Sequence, residues 1–274
     1  MMDAGFPVFP LWSPPERFSA LRGGRPIALF LHGWSADASV MAQAARRLSR
    51  RCQCIMLELP GHGAAEATPE SLDIRALCLR LAQLTDSIRP RSRPKIVIGW
   101  SLGAIIALGS AAMPESGADG LVLVGGTARM TRCEGFSHGP ASVWLNTMAS
   151  ALRFTPAAVL SRFAAKNFSK DDRTLGSFPE ADECLRRAVS SGDISAKRRL
   201  LVELGKADYR ESVSDISVPA RLLHGSADAI IPVGASHWLR EHCGSAELEV
   251  VSGAGHALPL TRPDSIADTA LELL

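Results

Sequence analysis

Between an apolar run, Lys95 to Ile98, and a helix-forming run, Ala104 to Ala112, the chain has only Gly99-Trp100-Ser101-Leu102-Gly103 in which to turn. A Gly-x-Ser-x-Gly pentapeptide in that setting reverses sharply from strand to helix. The turn is so tight that the serine backbone is strained, and the glycines on either side remove side chains that would otherwise collide. The serine hydroxyl then stands at the C-terminal edge of a sheet, where the free N–H groups of a helix N-terminus favour a developing anion. Without its flanks the motif says little in a glycine-rich chain. The strand before it and the helix after it make Ser101 a candidate nucleophile.

The rest of the chain supplies such a sheet. Runs of β-type residues recur at Ile27 to Leu31, Cys54 to Leu57, Lys95 to Gly99, Leu121 to Val124, Ala220 to His224 and Leu248 to Val251. Each reads as a buried strand, and several are continuous apolar runs, the pattern of strands covered on both faces. Helical patterns lie between them at Ser39 to Arg50, Leu72 to Ile88, Leu102 to Ala112, Gly234 to Glu241 and from Pro263 to the C-terminus. The last has Pro263 just inside its start and Ile266, Ala270 and Leu273 or Leu274 on one face. Alternating strand and helix predicts an α/β fold with a doubly wound, mostly parallel sheet.

The alternation breaks once, between about Thr127 and Val218, where the residues read as short helices. The expected organisation is therefore a core of residues 1–126 and 219–274 and a helical cap, or lid, of residues 127–218. The cap holds Trp144, Leu145, Met148, Leu152, Phe154, Val159, Leu160, Phe163 and Phe168, interleaved with Arg and Lys. Most of these belong to the cap's own core. Those facing the strand ends are expected to line a substrate pocket, because ligands bind there in open α/β sheets.

Composition narrows the classes. The chain has 274 residues, 46% hydrophobic and 21% charged, which suits a soluble globular protein with a sizeable core. Its first thirty residues lack the layout of a secretory leader, and no apolar run reaches the roughly 20 residues of a membrane span, so a cytoplasmic, non-membrane protein is expected. A net charge of +2 does not suggest nucleic-acid binding. Cys52, Cys54, Cys78, Cys133, Cys184 and Cys243 lack the dense spacing of a disulfide scaffold and read as reduced thiols. Cys52 and Cys54 share a strand face, but nothing nearby completes a zinc set, so no metal is expected.

An acyl-transferring serine needs an oxyanion hole, a base and an acid. Leu29-Phe30-Leu31 runs into His32-Gly33-Trp34, where this strand–turn–helix arrangement draws its second oxyanion donor. The backbone N–H groups of Trp34 and Leu102 are the candidates. His32 itself, at a strand end before a glycine turn, reads as a structural hydrogen-bonding residue. Among seven histidines, the chain order Ser, Asp, His selects His256, in the glycine loop Ser252-Gly253-Ala254-Gly255-His256 after the last strand. His62 lies in a turn, His237 and His242 on a helix, and His224 ends a strand before the acid loop, which it is placed to shape. Asp228, in Gly225-Ser226-Ala227-Asp228 at a strand end, is the candidate acid, able to fix the histidine tautomer. Asp119, Asp208 and Asp215 lack that position.

These motifs, with Glu58-Leu59-Pro60-Gly61-His62-Gly63, resemble the α/β-hydrolase superfamily over nearly the whole chain. Within it the chain is most similar to the pimeloyl-[acyl-carrier protein] methyl ester esterases of biotin synthesis, through Leu31-His32-Gly33-Trp34, Gly99-Trp100-Ser101-Leu102-Gly103 and the cap segment Ser161-Arg162-Phe163-Ala164-Ala165-Lys166-Asn167. The resemblance implies an α/β-hydrolase fold with the cap inserted after the sixth strand. It also implies substrate contact by Trp34, Phe163 and Asn167, and a grip on acyl-carrier protein by cap arginines. Arg162 matches such a position. Arg153, Arg186 and Arg187, with Arg198 and Arg199, join it only if they share one face; the plain alternative is solvated surface charge. Two departures stand out: Met1 to Gly24 is too short for a full pair of leading strands, and Ala257-Leu258-Pro259 and Ser226-Ala227-Asp228 match only the general pattern.

The expected chemistry is ester hydrolysis through an acyl-enzyme by a monomer needing no cofactor. The alternatives are a carboxylesterase or lactonase acting on free small molecules, an acyltransferase using the same triad, and a non-catalytic binding protein of the same fold.

Overall fold

A computed structural model describes residues 6–13, 18, 24–88, 90 and 92–274. Seven strands form one sheet: β1 (Val8–Pro10), β2 (Ile27–Leu31), β3 (Gln53–Glu58), β4 (Lys95–Trp100), β5 (Gly120–Val124), β6 (Ala220–Gly225) and β7 (Ala246–Val251). Their spatial order is β1-β3-β2-β4-β5-β6-β7, and every pairing is parallel. In β2, β4 and β5 every residue is buried, so both faces are covered, as the continuous apolar runs require. The helices that cover them include α1 (Ala42–Leu48), α2 (Ile74–Ser87) and α3 (Leu102–Ala111).

Four helices fill the connection from β5 to β6: α4 (Ser142–Ala151), α5 (Pro156–Lys166), α6 (Phe178–Ser190) and α7 (Ile194–Lys206). They pack as pairs, α4 on α7 and α5 on α6. Three of the four have a local reason to start. Pro156 and Pro179 sit in the first turns of α5 and α6, where a missing N–H costs nothing, and Asp193 caps α7 through Ser195 N at 2.6 Å. After β6 come α8 (Gly234–His242), the short α9 (Leu258–Thr261) and α10 (Pro263–Leu271), which packs on α1 and β5.

Three sequence expectations are corrected in detail. Five strands precede the helical connection among the described residues, so it follows β5 rather than a sixth strand. Among its described residues the N-terminal segment adds β1, a three-residue strand that pairs Val8 with Met56 and was not foreseen because Pro7 precedes it and Pro10 ends it. And β7 is not a fully buried strand: it is the sheet's edge, with Glu247, Glu249 and Val250 exposed. Charge on an edge strand discourages pairing with another chain. Most of Met1 to Gly24 lies outside the described residues.

The sheet's centre sets the site's position through close backbone approach. A Cβ on Gly103, at the start of α3, would come within 2.7 Å of the His32 carbonyl at the end of β2. A Cβ on Gly99 would lie 2.5 Å from the Gly103 carbonyl carbon and 2.6 Å from Ala104 N. Only glycine lets α3 start this near both strands. Gly103→Ala should therefore lower stability by about 1–3 kcal/mol, the usual cost of overpacking. Urea unfolding checks this: the midpoint falls with an unchanged slope, whereas an unmoved midpoint means the backbones can part freely.

Candidate active site

Ser101 sits between β4 and α3 with φ 56° and ψ −114°, outside the regions favoured by L-residues. Its own N–H donates to Val124 O at 2.9 Å and its carbonyl accepts from Ile105 N at 3.0 Å, so sheet and helix hold the strained residue from both sides. Leu102 follows in the first turn of α3, where N–H groups have no intrahelical acceptor. Only one other non-glycine residue has positive φ among the described residues: Ser35, at φ 59°. It belongs to the turn after β2 that carries Trp34.

That turn reaches the serine because of Gly33, whose added Cβ would lie 3.0 Å from the Trp100 ring and 3.2 Å from Ser101 Cβ. Ser35 N–H donates to His62 Nε2 at 2.9 Å, while His62 Nδ1 donates to Pro60 O at 3.0 Å. Complete burial holds His62 well below the usual histidine range, and neighbouring His32 and Lys197 add to this, so it stays neutral with Nε2 free to accept. His32 is also fully buried, with Nδ1 on Gly33 O at 2.8 Å and Nε2 3.0 Å from Leu59 N. Both imidazoles are engaged in shaping turns. The His62 contact is one the sequence could suggest only through its Gly61-His62-Gly63 setting.

The Trp34 indole points into the helical connection. Its Nε1 donates to Lys197 O at 2.8 Å, and its ring meets Phe163 edge-on with centroids 4.9 Å apart. Lys197 is buried with its ammonium on the carbonyls of Val189, at 2.7 Å, and Ser191. Burial pushes that lysine down to about 8 against the pull of Asp37 and Asp193. The turn beside Ser101 is thus pinned by α5 and α7.

His256 and Asp228 meet as the chain order required. His256 Nδ1 lies 2.6 Å from Asp228 Oδ2, and both side chains are buried. Gly125, at φ +54°, ends β5 beneath them; a Cβ there would lie 3.2 Å from the His256 ring. The second Asp228 oxygen accepts from Ile230 N at 2.8 Å and Ile231 N at 2.9 Å. His224 Nε2 lies 3.3 Å from Asp228 Oδ2 and donates to Ile231 O at 2.8 Å, so His224 does shape the acid loop. Burial alone would raise the Asp228 carboxyl. The charge of His256 and the hydrogen bonds from His224 and His256 outweigh it and hold the group well below the usual carboxylate range.

The other face of the imidazole is open for chemistry. His256 Nε2 is buried and makes no hydrogen bond. Trp100, the neighbour of Ser101, donates Nε1 to His256 O at 2.8 Å and lays its ring 5.5 Å from the imidazole. A ring nitrogen without a partner, on an imidazole oriented by a carboxylate, is the arrangement a general base requires.

The expected substrate residues are placed less simply. Phe163 is buried against Trp34. Asn167 is buried too, with Nδ2 on Phe163 O at 2.7 Å and Oδ1 without a hydrogen bond. Its carbonyl accepts from His256 N at 2.8 Å and Ala257 N at 3.0 Å, a link the sequence did not reveal. Arg162, with Trp144, Met148, Phe163 and Lys166, lines a cavity of about 270 Å³ between α4 and α5. Arg153 lies by the exposed Phe154 ring, and Arg186 reaches from α6 to Asp182 at 2.7 Å and Ser161 at 3.4 Å. Arg187 points instead to Cys184 Sγ, at 3.9 Å. Among the described residues no group of His, Cys, Asp and Glu is placed to hold a metal, and no helix is long and apolar enough to cross a membrane.

The depressed Asp228 group has a testable consequence. A carboxylate whose folded pKa lies below its unfolded value stabilises the fold above the unfolded value, about 3.9, and loses that stabilisation as pH falls through the folded one. The stability gap between wild type and Asp228→Asn should therefore narrow as pH drops below about 4. Urea midpoints measured across the acid range check this; a gap independent of pH would mean that the Asp228 charge is not what stabilises the loop.

Comparison with known proteins agrees with this fold. The family described as the alpha/beta hydrolase family matches residues 28–269. A pimeloyl-[acyl-carrier protein] methyl ester esterase of Chromobacterium violaceum is 34% identical over 241 residues, covering 86% of this chain and 89% of that protein. One from Nitrosomonas europaea is 30% identical and covers 88% and 93%. Among solved structures, an esterase from Exiguobacterium antarcticum matches with a TM-score of 0.80 at 19% identity, over 92% of both chains. At that identity the likeness speaks for the fold alone. The chain belongs to the α/β-hydrolase family.

Proposed function

We propose that this protein is a serine carboxylesterase that cleaves the methyl ester of a pimeloyl group carried on acyl-carrier protein. Family membership and likeness to named esterases make it a carboxylic ester hydrolase. The observation that carries the mechanism is His256 Nε2, buried without a partner on a ring fixed by Asp228, in the loop tied to the residue next to Ser101. The substrate rests on the two relatives of that name.

In this mechanism His256 Nε2 takes the Ser101 hydroxyl proton as Oγ attacks the ester carbonyl. The N–H groups of Trp34 and Leu102 receive the oxyanion, a contribution of about 2.7–4 kcal/mol per donor in comparable sites. The imidazolium, stabilised by Asp228, returns its proton to the leaving methoxide, and methanol departs. Water then attacks the acyl-enzyme by the same proton path and frees the acid. Residues 127–218 act as a cap over the core of residues 1–126 and 219–274, with Trp34, Phe163 and Asn167 facing the acyl chain. Exposed Arg153, Arg162 and Arg186 are the candidates for gripping an acidic carrier. Arg187 is the weakest of the four, since it turns towards Cys184.

Ser101→Ala should reduce hydrolysis of both a carrier-borne pimeloyl methyl ester and a short p-nitrophenyl ester by on the order of 10⁶ in kcat. In the wild type, kcat/KM should favour the carrier-borne ester. That preference should shrink in Arg162→Glu and with added salt, because rim charges act on encounter. Activity on the small ester alone would keep the hydrolase and remove the carrier substrate. Acyl transfer to an added alcohol or thiol in preference to water would replace hydrolysis with an acyltransferase.

A further inference from the structure

The base stands on a loop with little conformational preference of its own. Ser252-Gly253-Ala254-Gly255-His256 follows the edge strand β7 and contains two glycines, one at φ +70°. A segment so rich in glycine loses more entropy on ordering than any other and needs outside contacts to hold one position. The core holds it at several points: Ala227 N donates to Ala254 O and Gly253 N to Ser226 Oγ, both at 2.9 Å, Trp100 Nε1 donates to His256 O, and Asp228 holds the His256 ring.

A second set of contacts, directly flanking the base, comes from residues 167–172, between α5 and α6. Asn167 O takes the N–H of His256 and of Ala257. Ser169 Oγ donates to Gly253 O at 2.7 Å. Asp172, fully buried, accepts from Gly255 N at 2.8 Å through Oδ2, which also accepts from Ser169 N at 3.0 Å. Ser169 Oγ in turn accepts from Asp172 N at 2.9 Å, so the two residues fix each other. The other carboxylate oxygen makes no hydrogen bond and faces Arg262 Nη1 at 3.5 Å. The approach is possible only at glycine: a Cβ on Gly255 would lie 2.6 Å from Asn167 O and 2.8 Å from Asp172 Oδ2.

We propose that Asp172 is a positioning residue for the catalytic base: a carboxylate of the helical connection that holds the His256 loop by its backbone and sets where Nε2 points. This rests on His256 being the base. Burying a carboxylate costs several kcal/mol, and here its return is two backbone N–H bonds and one arginine. One of those N–H groups immediately precedes His256. Reaction geometry tolerates displacements of only about 0.5 Å, and a misplacement of about 1 Å can cost 10²-fold in rate. The segment that anchors the loop begins at Asn167, directly after α5 and its Phe163, so a shift of that helix is transmitted to the base.

The test is kinetics of Asp172→Ala on a short p-nitrophenyl ester, beside Asp172→Asn, Ser169→Ala and His256→Ala. In Asp172→Ala, kcat should fall about 10–100-fold with KM little changed, and the acidic limb of the pH–rate profile, set by the base, should move. Asp172→Asn keeps an amide oxygen for Gly255 N and should recover most of the rate. The low-field proton resonance of His256 Nδ1–H should shift or broaden in Asp172→Ala and return in Asp172→Asn. If Asp172→Ala does not fold, Ser169→Ala carries the test through a smaller fall in kcat and the same resonance. Wild-type kcat and an unmoved resonance in a folded Asp172→Ala or Ser169→Ala would overturn the proposal, as would a loss confined to melting temperature. Loss of activity in His256→Ala with none in Asp172→Ala would sink the clamp alone. Full activity in His256→Ala would instead sink the assignment of the base, and the clamp with it.

Discussion

The sheet's architecture converges on one strained residue. Placing Ser101 at φ 56° costs of the order of 1–3 kcal/mol, and such a conformation persists only where its surroundings over-determine it. Here Val124 O holds its N–H and α3 takes its carbonyl. Gly99, Gly103 and Gly33 clear the space that three side chains would occupy. Gly99 and Gly103 mark backbone-to-backbone contacts, the second between α3 and the end of β2 beside β4, while Gly33 makes room for the Trp100 ring and the Ser101 side chain. The second strained residue, Ser35, follows from the first: the turn after β2 must fold tightly to approach the serine, and neutral His62 holds it there.

This explains why so much of the core was legible in sequence. The strand–turn–helix around Ser101 is a local pattern, and the continuous apolar runs of β2, β4 and β5 state directly that both sheet faces are covered. What sequence missed was weakly encoded. β1 has three residues, with Pro7 before it and Pro10 as its last, and no hydrophobic period to detect. Leu248 to Val251 looks like an interior strand, but edge position depends on which strand lacks a neighbour. Glu247 and Glu249 alternate outward as an edge demands, a signal overshadowed by the apolar residues beside them.

The site divides in the same way. Ser101, Asp228 and His256 were singled out because each lies at a strand end in a fixed chain order, and of the three contacts this implies the structure shows the one between Asp228 and His256, at 2.6 Å. The contacts that hold them were not. His256 to Asn167 spans 89 residues and uses a carbonyl, which every residue carries, so no side-chain identity announces it. The cap arginines show the converse case: their number is obvious in sequence, but direction is not. Arg186 turns to α5 and Arg187 turns away, although the two are adjacent, because successive helix positions diverge by about 100°.

These contacts change what the cap is. A lid that merely covers a finished site would touch it through apolar side chains and part from it at small cost. The helical connection here holds the Trp34 turn through Lys197 O and Phe163, and the base loop through Asn167 O, Ser169 and Asp172. Lifting residues 167–172 away would strip at least four hydrogen bonds from the base loop, each worth about 0.5–1.5 kcal/mol net and more where a buried partner is left bare. An opening of that kind would undo the setting of the proposed general base. On the proposed function, substrate entry that preserves the site would move other parts of the connection, such as α4 and the α4–α5 turn with its exposed Phe154, and leave 167–172 seated on the core. α5 is then the element between the two, with Arg162 on its outer surface, Phe163 on Trp34 and its C-terminal end running into Asn167.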